Sequence, residues 1–294
     1  MPIRRERRVD GELTDGATVS FRPSDAEIRA TRAALAPWRA LAAPRFYGIE
    51  NVPTDGAVLL VGNHSIYGLL DPPLMVEEIY DKRGRFVRSL AENAHYQLPG
   101  WRDVLRRGGA VRGTRENCRA LFAAGEAVLV FPGGGREVAK RKDERYQLIW
   151  KQRLGFARMA IEAGCPIVPF AAVGIEDMFD VIVDAEHPVL SPVRSLVESR
   201  GGRWELVMPL ARGKGRFGAP RAERLYYWFG EPIDTSKWVG RAADAAALTE
   251  CRDATRDAVY EGIAYLQDER SRDPHRYLTG RLASALLRRF GTPG

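Results

Sequence analysis

The chain has 294 residues, of which 45% are hydrophobic, 28% charged and 9% aromatic, the proportions of a globular protein with one large domain or two small ones. Those proportions exclude wholesale disorder and a disulfide-framed scaffold. The 45 Lys and Arg outweigh 38 Asp and Glu for a net charge of +7, so the expected partners are anionic: a membrane surface, nucleic acid or a phosphorylated co-substrate.

Residues 1 to about 22 are charged and lack an apolar period, which reads as a flexible lead. Their basic start runs into a polar acidic stretch instead of an apolar one, so a secretory signal is not expected. Ser24 with Glu27 predicts a capping box. Ile28, Leu35, Trp38 and Leu41 then fall on roughly one helical face, with Pro37 placed to kink the run. From Arg45 onward short apolar stretches alternate with turns: Phe46 to Ile49, Ala57 to Val61, Arg85 to Leu90, Ala127 to Phe131, Pro166 to Val173 and Leu225 to Phe229. These read as strands. Between two of them Leu154, Ala157 and Ile161 form a helical stripe that Gly164 stops, so strand and helix alternate and the class is α/β.

After Asp234 the chain turns alanine-rich and helical, ending in a basic amphipathic segment in which Leu278, Leu282, Leu286 and Phe290 share a face. That pattern fits a helix lying on an anionic surface and equally an ordinary docking helix. The expected organisation is therefore a lead and helix over 1–44, a catalytic domain over 45–235 and a helical tail over 236–294. Cys118, Cys165 and Cys251 are odd in number and form no CxxC pair, so neither a disulfide framework nor a structural zinc site is expected. The longest apolar runs are about five residues against the roughly 20 of a spanning helix, so any membrane contact is expected to be peripheral.

Four stretches could carry chemistry. Val58 to Val61 reads as a buried strand running into Gly62-Asn63-His64, with Asp71 following. A carboxylate on one imidazole nitrogen would leave the other to accept a proton from a hydroxyl, although such a pair is also a common structural one. Val128 to Phe131 leads into Pro132-Gly133-Gly134-Gly135-Arg136-Glu137, a turn whose amides could approach an oxyanion or a phosphate, or simply reverse the chain. It has neither the lysine of a Walker loop nor the GxGxxG spacing. Gly109 and Arg115 precede a helix capped by Thr114, where an anion is favoured. Pro166 to Pro169 reads as a proline-bounded core strand.

In this order the four stretches resemble the blocks of the glycerolipid acyltransferase superfamily, typified by lysophosphatidate acyltransferases. Asn63 and His64 match the first block, although Asp71 lies seven positions after the histidine where five are usual. Gly109 and Arg115 match the second. The third block is usually Phe-Pro-Glu-Gly; Phe131-Pro132-Gly133-Gly134 has glycine where the common carboxylate stands. Gly133 to Glu137 with Gly155-Phe156-Ala157 looks like the diacylglycerol acyltransferase-like branch. The likeness runs from about Phe46 to Pro232.

The resemblance implies a mixed central sheet flanked by helices, with helical extensions at both ends. It implies His64 as general base, Asp71 as the residue that orients it, and substrate contacts at Asn63, Arg115, Gly133, Gly134, Arg136 and Glu137. The donor would be acyl-CoA or acyl carrier protein, with no bound cofactor and no metal, and the acceptor a neutral lipid hydroxyl such as diacylglycerol or a long-chain alcohol. A lysophospholipid or glycerol 3-phosphate acceptor is the alternative within the superfamily; a non-catalytic lipid-binding protein is the alternative outside it. The protein would sit in the cytoplasm against the inner membrane face. A hydrolase would need a Gly-x-Ser-x-Gly elbow, which the chain lacks. Its arginines are dispersed and match no nucleic-acid-binding motif.

Overall fold

The computed structural model describes residues 21–92, 96 and 100–290. The described residues begin with helix α1 (Asp25–Ala42), opened by the expected capping box, in which Ser24 accepts from the Glu27 amide and Glu27 accepts from Ser24. Pro37 is carried inside it. Among the described residues nine strands follow: β1 (Arg45–Tyr47), β2 (Val58–Gly62), β3 (Val87–Ala91), β4 (Val111–Arg112), β5 (Ala127–Val130), β6 (Ile167–Val173), β7 (Phe179–Val183), β8 (Leu210–Gly213) and β9 (Tyr226–Phe229). The helices between and after them are α2 (Pro72–Arg83), α3 (Trp101–Arg107), α4 (Arg115–Ala123), α5 (Gly134–Val138), α6 (Gly155–Ala163), α7 (Ser191–Ser199), α8 (Ala245–Arg272) and α9 (Leu278–Phe290).

Seven strands form one sheet in the order β1-β9-β6-β2-β5-β3-β4, and β7 with β8 forms a separate antiparallel ribbon. Neighbours in the large sheet run parallel except β6 and β9. The sheet is therefore mixed, as the resemblance implies. All six expected strands are present, shifted by a residue or two. The strand readings missed β4, which is two residues long, and β7 and β8, for which the reason is burial. Every residue of β2 and β6 is buried, giving the unbroken apolar runs of strands covered on both faces. β7 and β8 are covered on one face only, so their apolar signal alternates and is weak.

Alternate residues of β2 feed two cores. Leu59 and Val61 pack with Leu121 and Phe122 of α4, Phe156 and Ile161 of α6, and Val259 and Ile263 of α8. Val58 and Leu60 pack with Ala42 of α1 and Leu74, Met75 and Ile79 of α2. The stretch expected as a helical tail is thus built into the fold. Asp244 caps α8 by accepting from the Ala246 amide, and the helix lies across β6 and β9 with Gly262 against the Trp228 indole. α9 is tied down at its start: the Leu278 amide donates to Ala222 O, and the Arg281 guanidinium donates to the carbonyls of Leu41, His275 and Arg276. The side chains of Leu286 and Phe290, on which its expected membrane face depends, lie outside the described residues. Among the described residues no helix is long and apolar enough to cross a membrane.

A Cβ at Gly262 would fall inside the Trp228 ring, so Gly262→Leu should lever α8 off the sheet. The expected cost is about 1–3 kcal/mol in urea unfolding; unchanged stability would mean that this contact does not seat the helix.

Candidate active site

The site lies where parallel strands end, the usual place for a ligand in an α/β sheet. β2 leaves the sheet through Gly62, where any side chain would collide with the carbonyl and ring of Phe170. Asn63 is fully buried and extends the ladder by side chain: Nδ2 donates to Ala172 O at 2.9 Å and Oδ1 accepts from Ala172 N at 2.8 Å. His64 therefore emerges from a fixed point. Its ring, partly exposed, stacks on Phe131 with centroids 3.9 Å apart and planes 10° from parallel. At its Cε1–Nε2 edge sits Gly68, φ +61°, where a Cβ would come within 2.8 Å of Nε2.

The glycine block follows β5, the strand next to β2. Gly134 N closes the turn on Phe131 O at 2.9 Å, and α5 begins. From that turn the Glu137 side chain folds back into the interior. Its Oε2 accepts from the His64 amide at 3.2 Å and its Oε1 from the Ile149 amide at 2.9 Å. A Cβ at Gly133 would fall on the Glu137 carboxyl. The carboxyl group at 137 thus occupies the space a side chain at 133 would need, which is why glycine stands there. Burial pushes the Glu137 carboxyl up to about 7, against the opposing pull of Lys140 and the two amides.

Asp71 is buried at the amino end of α2, where its Oδ1 accepts from the Ser65 hydroxyl at 2.6 Å and its carbonyl from the Tyr227 hydroxyl at 2.9 Å. Burial pushes its carboxyl up to about 6. Ser65, Asp71, Tyr146, Glu176 and Tyr227 line a tight space with no room for water. Around it Lys140 pairs with Glu176, and the Tyr146 hydroxyl donates to Asp177 at 2.6 Å. The two extra residues between His64 and Asp71 fall in a loop that turns through Tyr67 (φ +63°) and Gly68, and that loop is anchored from outside. The Tyr67 hydroxyl donates to Pro209 O and accepts from Ala211 N, both at 3.1 Å, and Trp38 Nε1 donates to Leu70 O at 2.7 Å.

The structure brings together His64, Gly133, Gly134 and Glu137, while the Asp71 carboxylate takes the hydroxyl of Ser65, the residue after His64. Arg115 stands apart, exposed at the first position of α4 behind the Thr114 cap and three strands along the same sheet edge. Asn63, Arg136 and Glu137, expected to touch substrate, are turned inward and committed to protein groups. The Arg136 guanidinium donates to Ala139 O at 3.2 Å and pairs with Glu144. Sequence reasoning missed Phe131 as the surface under His64 and Glu137 as the brace behind it. One signal was available: a glutamate four residues, about one helical turn, after the glycine that replaces a carboxylate.

Residues 43–173 match the family model described as Acyltransferase. Phytyl ester synthase 2, chloroplastic, of Arabidopsis thaliana is 30% identical over 258 residues, covering 80% of this chain and 36% of that protein. The Homo sapiens DGAT1/2-independent enzyme synthesizing storage lipids is 29% identical over 247 residues, covering 83% of this chain and 65% of that protein. Among solved structures, the 1-acyl-sn-glycerophosphate acyltransferase PlsC of Thermotoga maritima aligns over 83% of this chain and 85% of that chain at 18% identity with a TM-score of 0.45. The chain spans only part of the length of the curated relatives it matches.

Gly133→Ala should cost about 1–3 kcal/mol by crowding the carboxyl, and Glu137→Ala a similar amount by stranding two buried amides. In the double variant the methyl takes the vacated space, so denaturant unfolding should show a loss smaller than the sum by about 1 kcal/mol. Strict additivity would remove the steric link between the two positions. Asp71 and Glu137 also carry a pH signature. Unfolded, both ionise near the ordinary value of about 4; folded, they keep their protons to about 6 and about 7. The folded state binds more protons across that window, so their contribution to stability falls as pH rises from about 4 to about 7. Glu137→Gln should flatten this slope in thermal melts, and an unchanged slope would show that Glu137 does not titrate there.

Proposed function

We propose that the chain, whose residues 43–173 match the Acyltransferase family model, is an O-acyltransferase. In this reading it moves a fatty acyl group from a thioester donor, acyl-CoA or acyl carrier protein, to the hydroxyl of a neutral lipid such as diacylglycerol or a long-chain alcohol. The observation that carries the reading is the single histidine held at a strand exit by packing on Phe131, with its backbone amide tied to the adjacent glycine block. The names of the relatives, one a phytyl ester synthase and the other a storage-lipid enzyme, support a neutral acceptor.

His64 takes the proton from the acceptor hydroxyl as its oxygen attacks the thioester carbonyl. The tetrahedral intermediate collapses, the carbon–sulfur bond breaks, and the departing thiolate takes the proton back from His64. No covalent acyl-enzyme is needed. Asp71 serves as the positioning residue for His64, a role supported by its hydrogen bond to Ser65, the next residue along the chain. Developing charge on the carbonyl oxygen calls for preorganised donors, each worth about 3 kcal/mol of barrier, and the amides of Gly133 and Gly135 would supply them, that of Gly134 being given to Phe131 O.

The lipid is met at the β7–β8 ribbon. Phe179, Val181 and Ala211 point into the core, which leaves Ile182 and Leu210, 53% and 63% exposed, on the outward face. The loop beyond β8 carries Phe217, 90% exposed, and the basic Arg212, Lys214 and Arg221 stand around it, Lys214 paired with Asp180 of β7 and Arg221 with Glu223. Exposed apolar side chains among basic ones suit an anionic bilayer surface, and Tyr67 joins this ribbon directly to the His64 loop.

The test is transfer of labelled palmitate from palmitoyl-CoA to diacylglycerol, a long-chain alcohol, lysophosphatidate and glycerol 3-phosphate in vesicles. Wild type should acylate a neutral acceptor, and His64→Ala should lose about 100-fold or more with the fold intact. Transfer only to a phosphorylated acceptor would overturn the neutral-acceptor reading. Full activity in folded His64→Ala would overturn the assignment of the base, and no transfer by folded, vesicle-bound wild type would favour a lipid-binding protein.

A further inference from the structure

A groove of about 600 Å³, in the size range of a ligand site, opens between α1 and β1 and is lined by Ala36, Arg39, Ala40, Ala43, Arg45 and Arg224. We propose that this groove binds the phosphate end of the acyl donor, with Arg45 and Arg224 as its anion contacts. The inference rests on the acyl-transfer reading for the identity of the ligand, and on the groove's own charge and position for the rest.

The charge is unbalanced. Arg45 and Arg224 both turn to one buried carboxylate, Asp273, at 3.7 and 3.1 Å. That carboxylate also accepts from the Tyr226 hydroxyl and the His275 amide, both at 2.8 Å. Arg281 stands next to Arg224 and is held by main-chain carbonyls. Burial and the charge of Arg224 together pull Arg281 below the usual guanidinium range, as expected where cations crowd one acid. Arg39, by contrast, is matched by Glu77 and Glu78. A bound phosphate would supply the missing negative charge on the Arg45 side and accept forked guanidinium hydrogen bonds there. Ala36, Ala40 and Ala43 keep the helix wall of the groove low enough for a ligand to lie along it.

The position fits the chemistry. Arg45 is in register with Tyr226, Tyr226 with Val173, and Asn63 is bonded to Ala172, so the groove arginines and His64 lie level on one edge of the sheet. Between β1 and β2 there are three inter-strand spacings, about 14 Å or about four residue-lengths of extended chain. A phosphopantetheine arm, with its two amides in one continuous chain, reaches across that gap. Phosphate bound at Arg45 would thus set the thioester near His64. α1 also ties the two regions together, since Arg39 lines the groove while the neighbouring Trp38 bonds the His64 loop at Leu70.

The test is calorimetric titration of the full chain with CoA, 3′,5′-ADP, phosphopantetheine, pantetheine and holo-acyl carrier protein. Two variants are compared with wild type: Arg45→Gln, and Ala40→Glu, which places an acid on the exposed groove wall and leaves the Arg45–Asp273 pair intact. CoA affinity should fall about tenfold or more in both variants, while pantetheine, which has no phosphate, should bind weakly and equally to all three proteins. Competition by 3′,5′-ADP would identify the nucleotide phosphates as the ligand. Loss of phosphopantetheine or carrier-protein binding in the variants without such competition would identify the phosphate of the arm. Equal CoA affinity in wild type and both variants would overturn the site. Binding is read without turnover, so the two readings fail separately. Arginine-dependent CoA binding in a protein that transfers nothing would leave the site standing, and transfer with unaffected variants would remove the site alone.

Discussion

A single buried carboxylate holds the two halves of the site in register. β2 delivers His64 and β5 delivers the glycine block, and backbone pairing between the strands ends at Val61 and Val130, before either reaches the site. Beyond that point the hydrogen bond from the His64 amide to Glu137 continues the ladder by other means. Glu137 also takes the Ile149 amide, which fixes the segment running into α6. One side chain thereby sets the height of His64 over Phe131 and the path of the chain past the glycine turn. It can do so only because position 133 has no side chain, so Gly133 and Glu137 form one device.

Burying a carboxyl group is expensive, and the structure shows how the expense is contained. Glu137 and Asp71 are both pushed upward by burial, the effect expected when solvation is lost faster than it is replaced. Two amides on Glu137 and a hydroxyl on Asp71 replace part of that solvation. Lys140 pulls against the shift in both groups, while its own ion pair with Glu176 keeps the lysine from being an uncompensated buried cation. Tyr146 joins the network by giving its amide to Glu176 and its hydroxyl to Asp177. The floor of the site is thus polar and without room for water, and every shift in one member is felt by the others.

What the sequence reveals follows from how local each cause is. The capping box at Ser24, the Thr114 cap and the Gly164 stop depend on residues a few positions apart, and each is found where it is expected. The central strands are legible because burial on both faces makes them continuously apolar. The ribbon strands are not, because half their residues face out. In the site, the positions of His64 and the glycine block are legible as motifs, whereas the destinations of Asn63 and Glu137 are set by partners 109 and 73 residues away. A buried asparagine completing a strand and a substrate-facing asparagine look alike in sequence. Arg136 illustrates the same limit, since only the folded chain shows its guanidinium spent on Ala139 and Glu144.

The mixed character of the sheet has its own consequence for the site. In an all-parallel sheet every strand would bring its carboxyl end to the functional edge and send its amino end to the far side. Here β9 runs against β6 and β1 runs with β9, so these two strands bring their amino ends to the His64 edge instead. Residues that precede a strand, Arg45 and Arg224, therefore share an edge with residues that follow one, His64 and the glycine block. Arg45 starts its strand and Arg224 stands just ahead of β9, so both guanidinium groups reach the rim without an intervening loop. Reversal of two strands at one side of the sheet thereby places a fixed cationic wall on the same edge as His64, and the rigidity of the sheet sets the distance between them.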